Sequence, residues 1–194
     1  MNDETASLSA SQLRSAPLVG HVRFYYDLGS AEAYLVGERA HEVLGVVPEW
    51  VPIRMEPAFG CAEEVASHRE DVERSAERFG VPPLRWPEPY PFDSEFALLA
   101  ATYAREIGRC VAFSLAAFRQ AFAGGRDLSQ RENVLIAGAA CELHPTALIK
   151  GAELRSTRER LEAATAEARA AGVRSVPALQ VGDRVFGSLE AAMA

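Results

Sequence analysis

Hydrophobic positions change their spacing twice along this chain. Val22 to Tyr26 is a short run of β-branched and aromatic residues, which predicts a strand. From Ala31 to Leu44 the apolar residues Tyr34, Leu35, Val43 and Leu44 recur at helical spacing, and Gly45 is a natural left-handed terminator. Val46 to Ile53 reads as a second strand whose ends Pro48 and Pro52 make irregular. Strand, helix, strand implies two parallel strands joined by a right-handed crossover.

Between residues 56 and 172 strand signals all but vanish. Glu63 to Phe79 is charged and helical and ends at Gly80. Pro82 to Phe92 holds five prolines, so no regular element fits there. Asp93 is placed to cap a long Ala-rich helical stretch, broken near Gly108 and ending at Gly124–Gly125. Ser129 with Glu132, and Ser156 with Glu159, repeat the S-x-x-E capping-box pattern; the first predicts a helix that stops before Pro145. Strand patterning returns at the end. Ala178 to Val181 and Arg184 to Phe186 flank Gly182–Asp183, the signature of a hairpin with a two-residue turn. Residues 188–194 read as the start of a closing helix. The fold class is therefore α/β, one domain split by a large all-helical insertion. Residues 20–55 and 173–194 make the discontinuous α/β domain, 56–172 the insertion, and 1–19 a flexible leader.

Composition narrows the function. With 194 residues, 48% of them hydrophobic, the chain has enough apolar content for one sizeable core. Its net charge of −7 argues against nucleic acid and against an anionic membrane surface. No apolar run approaches the roughly 20 residues of a membrane span, and the polar, acidic start lacks the features of a signal peptide. Cys61, Cys110 and Cys141 are odd in number and far apart, which is no disulfide framework. These features together predict a cytoplasmic protein.

The candidate chemistry sits in Asp27 to Leu35, where the first strand hands over to the first helix. Ser30 stands at the helix N-cap, where its oxygen accepts an otherwise orphaned N–H. A helix N-terminus also carries partial positive charge, so the same hydroxyl can donate to a bound anion such as a thiolate. Both roles stay open, since one uses the oxygen and the other the proton. Serine nucleophilic catalysis has no support: no G-x-S-x-G surrounds Ser30 and no histidine shares its loop. Cys141 and His144 have the spacing of half a metal site without a second half, so no metal is expected. His21, His41 and His68 show no ligand spacing, and no phosphate-binding glycine motif occurs. Val176–Pro177 precedes a strand, and the sequence leaves its trans and cis isomers both open.

The order of these parts, FYYDLGSAEAYL, a helical insertion, then SVPALQVGDRVFG, resembles the DsbA-like branch of the thioredoxin superfamily. The resemblance implies a thioredoxin-like fold, with Val176–Pro177 at the cis-proline loop. Where DsbA-type oxidoreductases open their helix with C-x-x-C, this chain reads Ser30-Ala31-Glu32-Ala33. Serine in the first position resembles the 2-hydroxychromene-2-carboxylate isomerases and kappa-class glutathione transferases. That implies a thiolate supplied by glutathione or another low-molecular-weight thiol and supported by Ser30. The backbone of Val176 and Pro177 would pair with the cofactor, Ser188 of the matching Phe186-Gly187-Ser188 would also bind it, and Arg54, the nearest positive charge after the second strand, would hold a carboxylate. It also implies a small aromatic or conjugated substrate and a homodimer.

The physics of such a seat is quantitative. Lowering a thiol pKa of about 8.5 by two units needs about 2.7 kcal/mol of preferential stabilisation of the anion. A helix N-terminus offers up to about 2 kcal/mol and a hydrogen bond to a charged group about 1.5–3 kcal/mol. The chain departs from the family in four places: Ala31 replaces the usual proline, Glu32 puts a negative charge in the first turn, Leu189 stands where an aspartate is expected, and the Lys and Asn pattern expected after the second strand is replaced by RMEPAFGCAEE. Two other readings follow from these departures. One is a catalytically degenerate thioredoxin-like binding module; the other is a redox protein working through Cys61.

Overall fold

The computed structural model describes residues 21–44, 47–56 and 59–187. Four strands form one sheet: β1 (Val22–Tyr26), β2 (Glu49–Pro52), β3 (Ala178–Val181) and β4 (Arg184–Phe186), in the order β2-β1-β3-β4. β1 and β2 are parallel, with Phe24 opposite Trp50. β3 runs antiparallel to β1, with Phe24 opposite Leu179, and β3 and β4 form the hairpin. Gly182 takes a φ of 59° in its turn, which glycine adopts without steric cost. The first two and the last two strands thus meet in one sheet.

Among the described residues seven helices accompany the sheet: α1 (Ala31–Leu44), α2 (Ala62–Phe79), α3 (Glu95–Glu106), α4 (Cys110–Phe118), α5 (Arg131–Ala139), α6 (Pro145–Ala152) and α7 (Arg155–Ala170). α4 continues into one π-helical stretch, Arg119–Ala123. Period-2 alternation explains why both sheet faces are covered. Phe24, Tyr26 and Trp50 face the larger core with α1, α3 and α4; Phe24 meets Trp50 edge-on at 4.9 Å. Tyr25, Val51 and Ala178 face the other way, where Ala168 of α7 and Val173 cover them. Inside the larger core the Tyr26 hydroxyl shares hydrogen bonds with Ser114 (2.6 Å) and Cys110 (3.4 Å), so that phenol is buried without being orphaned.

Several local expectations change. Ser129 caps nothing: α5 starts two residues later, and the Ser129 N–H and hydroxyl both donate to Asp127, which also accepts from Gln130. Asp127 wins because a carboxylate is the stronger acceptor. Ser156 lies inside α7, whose N-cap position is Leu154. Pro145 does not simply follow a helix; it starts α6 at a position where a missing N–H costs nothing, and the His144 ring accepts from Thr146 N–H. Asp93 accepts from Glu95 N–H at 3.0 Å, and α3 and α4 are separated at Gly108, φ 72°. Cys110 and Cys141 are buried and Cys61 exposed, all three free. The leader, Gly45, Ser188, Leu189 and the expected closing helix lie outside the described residues.

Two stability predictions follow from the packing. A methyl on Gly151 of α6 would stand 2.4 Å from the Tyr103 ring of α3, beside atoms close to that ring's backbone attachment. Gly151→Ala is therefore expected to lose about 1–3 kcal/mol in denaturant unfolding, although alanine is the better helix former. On edge strand β2, burial opposes ionisation of Glu49, but hydrogen bonds from His21, Arg105 and Arg23 win and bring its pKa to about 2. A carboxyl depressed in the fold gives stability that is complete above its unfolded value of 4.5 and is lost as pH falls toward 2. Because the cationic partners are substantially exposed, Glu49→Gln should cost only about 1 kcal/mol at neutral pH and nothing at the acid end of that window.

Candidate active-site cavity

Asp27, at the end of β1, organises the site. Its carboxylate is buried and accepts three hydrogen bonds: Gly29 N–H at 2.8 Å, the Ser94 hydroxyl at 2.6 Å and Met55 N–H at 2.9 Å. These donors come from the turn into α1, the loop after β2 and the cap of α3. Burial pushes the Asp27 carboxyl above its ordinary 3.8, and the three hydrogen bonds and the Arg54 charge pull it partly back. The sequence carries a signal for this in the D-x-G pattern of an Asx-turn, Asp27-Leu28-Gly29.

The segments that Asp27 ties together enclose a cavity of about 480 Å³. Ser30 and Glu32 of α1 form one wall; Arg54, Met55 and Glu56 form another. Phe59, Tyr90 and Phe92 give it an aromatic side, and Arg174, Ser175 and Val176 close it from the strand β3 side. Ser30, Arg54 and Val176 therefore share one cavity. Pro177 is buried behind it, and the Val176–Pro177 peptide is cis. Among the described residues no group of histidine, cysteine or acidic side chains is arranged to hold a metal ion.

Ser30 performs both hydroxyl functions at once. Its oxygen accepts from Ala33 N–H at 3.1 Å, the N-cap bond, and its proton goes to the Glu32 carboxylate at 3.1 Å. Glu32 in turn stands 3.4 Å from His68 Nδ1 of α2, and His68 Nε2 lies 3.1 Å from the Tyr90 hydroxyl. The His68 ring is parallel to Tyr90 within 5° and touches Phe59 at 4.8 Å between centroids. Burial pushes the Tyr90 phenol up, the Glu32 charge adds to this, and Arg69 opposes it. His68 and Tyr90 reach the site only through tertiary contact, so no local spacing reveals them.

Charge at the seat is closely balanced. An anion beside Ser30 gains from the helix terminus, yet a second negative charge roughly 4 Å away costs about 4 kcal/mol at an effective dielectric of 20. Glu32 can impose that cost. Arg54 is already engaged by Glu95 at 2.9 Å, Asp93 at 3.6 Å and Glu56 at 3.7 Å, so a ligand carboxylate must compete for it. Arg174 donates to the Arg169 carbonyl at 2.8 Å and meets no carboxylate among the described residues, which leaves it the better placed cation.

Comparison with known proteins gives the following. A family model for the DSBA-like thioredoxin domain matches residues 21–193. A solved 2-hydroxychromene-2-carboxylate isomerase superposes with a TM-score of 0.76 at 18% identity, over 87% of this chain and 89% of that one. A probable DsbA oxidoreductase from Streptomyces coelicolor gives 0.70 at 19% identity, over 89% and 85%. The cytosolic disulfide reductase DsbM from Pseudomonas aeruginosa, solved with GSH, gives 0.64 at 18% identity, over 86% and 88%. No curated protein matches the sequence. At these identities the superpositions establish the fold alone.

The Asp27 geometry makes a signed prediction. Its folded pKa is raised, so its share of stability is full below the unfolded value of 3.8 and is lost as pH rises through the folded value. Asp27→Asn cannot accept all three hydrogen bonds, and one orphaned donor costs about 1–3 kcal/mol. Urea midpoints measured from pH 4 upward should show the variant less stable, with the gap narrowing as pH rises. A constant gap would contradict the raised pKa.

Proposed function

The chain belongs to the DSBA-like thioredoxin domain family, and we propose that within it the protein is a thiol-dependent isomerase or transferase. The observation that carries this reading is Ser30, in place of a cysteine, at the N-terminus of α1 and open to a cavity whose far side is Val176. The reactive sulfur then arrives with a cofactor, and glutathione is the thiol to try first. Ser30 and the amides of the first turn stabilise the thiolate. The thiolate adds to a conjugated substrate, a bond rotates, and the thiolate leaves. Phe59, Tyr90 and Phe92 suit a flat, unsaturated substrate, and Arg174 suits a carboxylate on it.

Dithiol redox chemistry has less to support it. The cysteines are all free, Cys110 and Cys141 are buried, and Cys61 does not line the cavity. A second reading, a binding module without catalysis, draws on the Ser30 proton being taken by Glu32.

Calorimetric titration with glutathione separates these readings. The expected result is binding accompanied by the ultraviolet absorbance of a thiolate. Ser30→Gly removes the hydroxyl while costing the helix cap only a few tenths of a kcal/mol. It should reduce thiolate formation by about ten-fold or more, the worth of one hydrogen bond to a charged group. No binding, or thiolate formation unchanged in Ser30→Gly, overturns the reading.

A further inference from the structure

Resting on that thiol reading, we propose that the proton leaving the bound thiol stays in the site, passing through the Glu32 carboxylate to the His68 ring. Four polar groups from three separate segments make the path. The Ser30 hydroxyl donates to Glu32 Oε2, Glu32 Oε1 faces His68 Nδ1, and His68 Nε2 meets the Tyr90 hydroxyl. Glu32 lines the cavity with its side chain 28% exposed, and His68 also lines it at 16%. Sequence spacing does not demand this convergence, because helix capping at Ser30 needs neither residue.

The charge count explains what the arrangement achieves. A thiolate placed beside an ionised Glu32 puts two negative charges together. That conflict disappears when the sulfur enters as a neutral thiol and its proton goes no farther than His68. The S–H bond breaks and its electron pair stays on sulfur. The proton adds to the Glu32 carboxylate, and Glu32 passes a proton to Nδ1. Before the step the site holds Glu32 as its anion with a neutral imidazole. Afterwards it holds the thiolate, with Glu32 and the imidazolium cancelling. Net charge in the cavity is unchanged, and the Ser30 proton then has two anionic acceptors to choose between, Glu32 and sulfur.

The geometry fits the starting state. A charge-assisted N–H···O bond spans about 2.7–2.9 Å, whereas Nδ1 and Oε1 are 3.4 Å apart. The relay requires the ring proton to start on Nε2, donating to the Tyr90 oxygen and leaving Nδ1 bare to receive. Tyr90, raised by its burial, remains a neutral phenol and does not compete for the proton. Phe59 and Tyr90 hold the ring against rotation. Two of the other cations nearby are committed elsewhere: Arg69 of α2 lies over the Tyr90 and Trp86 rings, and Arg54 pairs with Glu95, while Arg174 stands on the β3 side of the cavity.

Counting protons tests this. At about pH 7 an ordinary thiol is almost wholly protonated, so a thiolate formed there must have passed its proton somewhere. Glutathione is titrated into the full chain in two buffers of different ionisation heat, with thiolate read by absorbance. S-methylglutathione, which has no thiol proton, supplies the correction for every other group. Wild type should release well under about half a proton per thiolate formed. Glu32→Gln keeps an acceptor for Ser30 but cannot relay, and should release about one. His68→Gln keeps the Glu32 charge without a proton store, and should form about ten-fold less thiolate. Unchanged thermal unfolding certifies that each variant is folded. About one proton released by wild type, or no release by Glu32→Gln, overturns the relay while leaving the thiol reading intact. Absence of any thiolate in wild type overturns both.

Discussion

One buried carboxylate sets the geometry of this protein. Asp27 ends β1 with its charge out of water, and three donors from three chain segments compensate it. Removing an ion from water costs several kcal/mol even after relaxation, so the donors cannot drift apart without leaving that charge exposed to an apolar interior. The turn into α1, the loop after β2 and the start of α3 are therefore held in fixed relation. Those segments are also the ones that bring Ser30, Arg54 and the Phe92 stretch to the cavity. The rigidity a site needs comes from beneath it, from a residue that itself lies on the cavity wall.

Above that anchor charges of both signs share the cavity wall. Arg54 faces three carboxylates, Glu95 faces Arg54 and Arg158, and Glu32 stands beside His68. Such a cavity does not attract an anion by bulk charge, and a chain of net charge −7 does not steer one toward it. An anion entering it would meet particular donors instead: the Ser30 hydroxyl and Arg174 on the cavity wall. An isomerase, a probable oxidoreductase and a disulfide reductase share this fold, because function lives in side chains grafted on a common backbone.

Architecture was legible in the sequence wherever a periodic signal was long or a turn residue was specific. α2 with its Gly80 terminator, the hairpin at Gly182–Asp183 and the parallel pair β1–β2 follow directly from pattern. Short capping signals misled at Ser129 and Ser156, since a nearby carboxylate or a longer helix outcompetes a hydroxyl for backbone donors. α6 was hidden because proline reads as a terminator until its position at the first helical turn is known. In the site, Ser30 could be found from the strand-to-helix junction alone. His68 and Tyr90 could not, because an α2 residue and the proline-rich loop meet Glu32 only after the insertion packs on the sheet.

The helix opening itself shows where this chain lacks paired sulfurs. Of the four positions Ser30-Ala31-Glu32-Ala33, the alanines are fully buried, while Ser30 and Glu32 line the cavity. A second sulfur at position 33 would sit where Ala33 now packs among α1 and its neighbours, and would have to enlarge that space. The position that does share the cavity with residue 30 carries a carboxylate, a group that exchanges protons and not electrons. Cys61, at the N-cap of α2 and away from the cavity lining, supplies no substitute. The local pattern thus packs the two alanines inward and leaves a hydroxyl and a carboxylate, rather than two sulfurs, on the cavity wall.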